Sequence, residues 1–390
     1  MPTSFARRAE RSIATIAVAC CLASTRLSLA MAQESPSSPP DASASQPTTT
    51  FKIVPGEAWA LAATTVPPGS VIELAIGVHA TAVLEGLAGT PESPIRIVSE
   101  RDGRARATAI IAGGEIGLVL RNCRHVEVDG LVVIGPTRAA IRLEGCEDLD
   151  LRNLLLARLG PDAEADGLEI SGSKRIAVRS ARIDGWSDAA IDLRDSHALT
   201  FSGIELLGMD GRRNGVGLRV GPETTEVAFE RFSLRNLPLA IGLGPSGPLA
   251  AEQKAASGVR IAEGVVLGAA IGIEFGSVSD SRIERITLRD CREPLVVAGV
   301  PREVRFDSNI VAWDPGRTSA FGRIDAGGDA SGLMLGENLW WSAELPAAMP
   351  LLGAIPGTAV GPQRHDPPPN LDDLGVAKNP AVAAMGRPAP

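Results

Sequence analysis

A short motif of apolar, any, apolar residues recurs along the chain from residue 126. Its first positions are Val126, Leu149, Ile176, Leu199, Val227, Val259, Ser281 and Val304, spaced 22 to 32 residues apart. Two positions on stand Val128, Leu151, Val178, Phe201, Phe229, Ile261, Ile283 and Phe306, and seven on stand Val133, Leu156, Ile183, Leu206, Leu234, Val266, Leu288 and Val311. These last two columns are apolar without exception. A third pair closes each unit: Ile141/Leu143, Leu168/Ile170, Ile191/Leu193, Leu218/Val220, Ile241/Leu243, Ile273/Phe275 and Leu295/Val297. A small residue such as Ala140, Gly167, Ala190 or Gly217 precedes it.

Alternation over such short runs means strands with one buried face. Three strands per repeat describe one coil of a parallel β-helix, an all-β solenoid. One coil cannot bury its inward face alone, whereas a stack presents continuous apolar ladders. An earlier coil uses Ile95-Arg96-Ile97, Ile110-Ile111 and Leu118-Val119-Leu120, so about 9 to 11 coils with a cap at each end are expected. The Leu and Asn signature of a leucine-rich horseshoe, the main alternative, is absent.

The flanks read differently. An Arg-rich start, an apolar stretch from Ile13 to Ala23 and the small-residue end Ala30-Met31-Ala32 read as an export signal over residues 1–32. Cys20 after Ala17-Val18-Ala19 leaves a lipoprotein anchor as an alternative. Residues 33–50 are a Ser/Pro/Thr-rich linker, 51–345 the β-helix domain and 346–390 a Pro-rich extended tail. No other stretch is long and apolar enough to span a membrane. A secreted, periplasmic or envelope location follows.

The formal charge is −8, and the first 32 residues hold four Arg against one Glu, so what remains is more acidic still. Such a balance disfavours nucleic acid, which draws proteins by cationic attraction and counterion release. Cys123 and Cys146 occupy one place in successive coils, which Ser173, Ser196 and Thr224 hold later. A free thiol stack and a disulfide both fit that ladder. No CxxC or His/Cys spacing supports a zinc site. His79, His125, His197 and His365 fall at coil edges or in the tail and form no visible triad.

Pro68-Gly69-Ser70-Val71-Ile72-Glu73-Leu74, then Gly77-Val78-His79, then Gly89-Thr90-Pro91-Glu92-Ser93-Pro94-Ile95-Arg96-Ile97 resemble the N-terminal coils of chondroitinase B-like and alginate lyase-like proteins. There a Gly-Val-Tyr triplet is usual where His79 ends this one. The chain from about 51 to 345 thus resembles the right-handed parallel β-helix, pectin-lyase-like superfamily, whose members include lyases, hydrolases, esterases, epimerases and binding proteins. Glu337-Asn338-Leu339-Trp340-Trp341 resembles the ending of many secreted bacterial β-helix proteins, with both Trp residues expected to pack the last coil.

A partial polygalacturonase-like motif lies in the middle coils. Glu164-Ala165-Asp166-Gly167 resembles the family's Asn-Thr-Asp-Gly, and Ser187-Asp188-Ala189-Ala190-Ile191 its Gly-Asp-Asp-Cys-Ile. The resemblance implies Asp188 as the general acid. Ala189 replaces the second Asp of the pair, and the family's Gly-His-Gly and Arg-Ile-Lys are missing. An Asp-Gly turn without chemistry is the other reading. A lyase would need a base and a cation or Arg to hold the enolate, and Lys254 with Arg289 faintly resembles that arrangement.

Spacing gives an independent candidate. The residue between each third-strand pair runs Arg142, Glu169, Asp192, Arg219, so stacking makes Glu169 and Asp192 neighbours flanked by Arg. Paired carboxylates raise one pKa and flanking Arg lowers both, while a solvated charge ladder is the bland alternative. The connections from Leu156 to Leu168 and from Leu206 to Leu218 are longer than the one between them, so loops 161–166 and 210–214 flank the turn holding Trp186 and Asp188. The expected site therefore has Asp188 as acid, Asp166 or Asp192 as second carboxylate, and Glu169, Arg142, Arg219, Arg212 and Arg213 as substrate binders. Trp186 is expected to stack a sugar, or else to cover the turn. No metal site is assigned, and calcium on the acidic loop stays open.

The expected function is a monomer that binds, and as an enzyme cleaves, an extracellular uronate-containing polysaccharide, by lyase or hydrolase chemistry. A rigid, non-catalytic envelope protein is the rival, favoured by 3% aromatic residues.

Overall fold

The structure, a computed structural model, describes residues 49–59, 66–100, 108–159, 165–208, 215–247, 249, 252–312, 322–342, 359–360, 363–364 and 385–386. The repeat columns of the sequence are its stacking columns. Val128, Leu151, Val178, Phe201, Phe229, Ile261, Ile283 and Phe306 pair one after another in parallel register. The third-strand pairs from Ile141 to Leu295 stack likewise in a ten-stranded sheet. The other two faces join in a 22-stranded sheet, because strands such as Glu147–Ala157, Lys174–Asp184 and His197–Leu207 run through the corner between them.

Left-handed backbone makes the corners. His125, Asp148, Arg175, Ala198 and Glu226 stack as one column of positive φ, Asn153, Ser180, Gly203 and Arg231 as a second, and Gly135, Arg158, Gly185 and Asn236 as a third. A fourth runs through Asn122, Gly145, Gly172, Asp195 and Glu223. This conformation is costly for residues with a Cβ, so its repetition with Arg, Glu and Ala shows that the stacked ladders impose it. Ala330–Gly332 is a single 3-10 turn, and among the described residues no helix is long and apolar enough to cross a membrane.

Inside, apolar columns fill the tube. Phe201, Phe229 and Phe232 form a tilted aromatic run with centroids 5.9 and 4.7 Å apart. The small residue before the third strand is explained at Gly167, where an added Cβ would lie 2.4 Å from the Ala190 carbonyl oxygen and 2.5 Å from Ile183. His79 is not at an edge: it stacks on Ile111, is 1% exposed and contacts the Ala75 carbonyl through Nε2 at 2.7 Å. Cys123 and Cys146 are buried free thiols. The Cys146 thiol donates to Leu120 O at 3.2 Å, while its backbone N–H donates to Ser173 Oγ at 3.0 Å.

At the N-terminal end Trp59 is buried, its Nε1 donating to Ala80 O at 3.1 Å. At the other end Trp340 stacks on Val311 as a further member of an inward column, and Ala359–Val360 and Gln363–Arg364 add strands beyond it. Val265, Thr287, Ile310 and Leu339 lie in register between inward positions, yet each is fully buried. Met385 packs on Ile310, Ala312 and Leu339, and the Gly386 N–H donates to Ser308 O at 2.9 Å. The tail's end thus returns along the outside of the coils.

Candidate functional site

The ten-stranded sheet carries the expected charge ladder in register: Arg142 beside Glu169, Glu169 beside Asp192, and Asp192 beside Arg219. Backbone bonds fix the turn that faces it. Asp166 N donates to Arg138 O at 2.8 Å, Asp188 N to Ala165 O at 3.2 Å, and Val216 N to Asp188 O at 2.7 Å. Ser187 Oγ accepts from Ala165 N at 2.9 Å. These bonds bring Asp166, Asp188 and Asp192 into one cluster, with one oxygen of each within 4.8 Å of the others.

The three carboxylates have different surroundings. Asp188 is clamped by Arg219, Nη2 to Oδ1 at 2.6 Å and Nη1 to Oδ2 at 3.0 Å. That bidentate, charge-assisted pair holds Asp188 below the usual carboxylate range. Asp192 is 0% exposed and its Oδ2 accepts from Arg194 and, at 3.4 Å, from Arg219. Asp166 is 7% exposed and accepts one bond, from Ala189 N to Oδ1 at 2.8 Å. Desolvation raises Asp166 to about 7 against that bond, with Asp192, Asp188 and Glu169 adding repulsion.

The expected site residues fall into different surroundings. Asp188, the expected acid, lies against Arg219, which favours its ionised form, whereas burial favours the protonated form of Asp166. Asp192, expected as a second reacting carboxylate, is fully buried. Trp186 is 4% exposed inside the main apolar core, so it covers the turn and presents no ring face for stacking. Glu169 pairs with Arg142 at 2.6 Å and both are largely buried, with side chains 16% and 13% exposed. Arg212 and Arg213, with most of both flanking loops, lie outside the described residues.

Arg194 was missed, although its position two residues after Asp192 on one strand puts both side chains on one face. The donor set does not suit calcium, which takes 6–8 oxygen ligands. Arg219 and Arg194 already occupy the cluster and offset its charge. A cavity of about 370 Å³ opens elsewhere, on the corner column lined by Gly145, Gly172, Lys174 and His197.

No family model matches the chain, and no curated protein matches it in sequence. Solved structures do. An alginate lyase from Paenibacillus sp. str. FPU-7 superposes with a TM-score of 0.50 at 14% identity, over 81% of this chain and 98% of that one. An endo-xylogalacturonan hydrolase from Aspergillus tubingensis gives 0.50 at 12% identity, over 69% and 84%. The fold they share with this chain is the parallel β-helix.

Proposed function

We propose that this chain binds a polysaccharide across its ten-stranded sheet and cleaves it by hydrolysis, with Asp166 as proton donor and Asp188 as the ionised carboxylate. The observation that carries this reading is the split between two adjacent acids: Asp166 is raised to about 7 by burial, while Arg219 holds Asp188 down. Carboxyls driven apart in this way take the acid and the base or nucleophile roles near neutral pH. The fold, shared with an alginate lyase and an endo-xylogalacturonan hydrolase, agrees with a polysaccharide substrate. The N-terminal signal favours export.

The test is a screen of uronate-containing and neutral polysaccharides for reducing ends and for the ultraviolet absorbance of unsaturated products, beside Asp166→Asn and Asp188→Asn. Reducing ends without absorbance, lost in both variants, are the expected result; absorbance growth would replace hydrolysis by lyase chemistry.

A non-catalytic envelope role is the second reading. It draws on the burial of Trp186, on the clamp over both Asp188 oxygens, and on the lack of aromatic residues among the exposed large apolar side chains described. Silence across the screen from folded protein would favour it.

A further inference from the structure

Resting on the reading of Asp166 as proton donor, we propose that Asp166 and the buried Asp192 share one proton, which makes Asp192 a positioning residue that holds Asp166 in its acid form. The starting point is an orphan: Asp192 Oδ1 is buried with no hydrogen-bond partner, while Oδ2 takes Arg194 and Arg219. An unpaired buried polar atom is destabilising, and more so when charged.

The nearby acids offer one donor. Asp188 has both oxygens on Arg219 and is held ionised, so it brings no proton. Asp166 uses Oδ1 for the Ala189 N–H, which leaves its other oxygen to carry one. The Asp166 and Asp192 oxygens of the cluster lie within 4.8 Å. A small rotation of Asp166 to the ~2.5–2.7 Å of an O–H···O⁻ bond, or one bridging water, closes that span. Charge points the same way. Asp166, Asp188 and Asp192 with one proton among them carry two negative charges, matched by the Arg194 and Arg219 guanidiniums. Among the described residues the other charged groups acting on this cluster are Glu169, which raises Asp166, and Arg138. The pairing is an acid–carboxylate dyad like those in which two neighbouring carboxyls cannot both ionise.

The test reads the proton directly. In protein carrying 13C-carboxyl aspartate, the Asp166 resonance, assigned with Asp166→Asn, should titrate near neutrality. In Asp192→Asn it should titrate at least about one pH unit lower, because the like charge is gone. Glu169→Gln, which removes a more weakly coupled charge, should shift it less. An Asp166 that titrates in the ordinary carboxylate range, or one that Asp192→Asn leaves in place, overturns the proposal. Should Asp192→Asn fail to fold, the unmodified protein decides. At about pH 6 its infrared spectrum should hold a protonated-carboxyl C=O band that Asp166→Asn removes, and absence of that band is equally fatal. Neither readout needs a polysaccharide, so failure of cleavage with an intact shared proton counts against the hydrolase reading alone.

Discussion

Asp166 and Asp188 belong to one carboxylate cluster, yet Arg219 grips Asp188 by both oxygens while Asp166 receives a single backbone N–H from Ala189. The difference gives the two acids opposite pH signatures. Asp166, raised on folding, adds stability that is fully present below its unfolded pKa and is lost as pH rises toward about 7. Asp188, lowered on folding, adds stability present above its unfolded pKa and lost as pH falls through its folded value. Urea unfolding across pH should show Asp166→Asn removing a decline of a few kcal/mol between about pH 4 and 7. A variant with the wild-type slope there would mean that Asp166 ionises normally.

Arg219→Ala should cost about 3–5 kcal/mol, because it strips the clamp from Asp188 and one of two cations from a sealed carboxylate, Asp192. Arg219→Lys should recover only part of this, since an ammonium cannot reproduce the fork that meets both Asp188 oxygens. Denaturant midpoints of the two variants check the order, and equal stability of Lys and Arg would remove the bidentate argument.

Trp186→Ala should cost about 3–5 kcal/mol as a core truncation. Measured well below its melting temperature, the variant should bind polysaccharide as the unmodified protein does. A selective loss of affinity with little loss of stability would restore the stacking role.

The fold was legible in the sequence because burial repeats coil after coil. The columns through Val128 and Val133, and the third-strand pairs, needed only the period, and the register of Glu169 with Asp192 followed from it. What the sequence withheld was depth. Asp192 and Arg142 occupy equivalent outward places, but whether such a place meets water depends on what leans over it, here Arg194 and Arg219. The turn from Ala165 to Asp188 likewise depends on backbone bonds that no local pattern encodes, so the contrast between the surroundings of Asp166 and of Asp188 was not legible there. His79 replaces a usual aromatic and kept the inward direction of that place, which residue type alone disguised.

Gly167→Ala should destabilise strongly, since its Cβ would meet backbone of the next coil at 2.4 Å. Because Asp166 precedes it, the same variant should disturb any activity more than its stability loss explains. Thermal melts and turnover at matched folded fraction separate the two effects. A melting temperature unchanged by the added methyl would count against the tight packing of this column.

Deletion of residues 385–390 should uncover Ile310 and Leu339 and promote self-association, visible by light scattering and by binding of an apolar dye. A deleted chain that stays dispersed and dye-negative would show that Met385 is dispensable for covering the stripe.

The left-handed corners recur at fixed offsets from each inward column, while the connection between Leu156 and Leu168 is longer than that between Ile183 and Ile191. In evolutionary terms the coil is a ruler with adjustable marks, this connection and the one that lengthens between Ile241 and Val259 while Phe229 and Ile261 stay in register. A residue gained or lost between corners would misalign every later rung, whereas length gained in either connection leaves all rungs in step. New loop chemistry beside Asp166 and Asp188 can therefore be tried without renegotiating the scaffold.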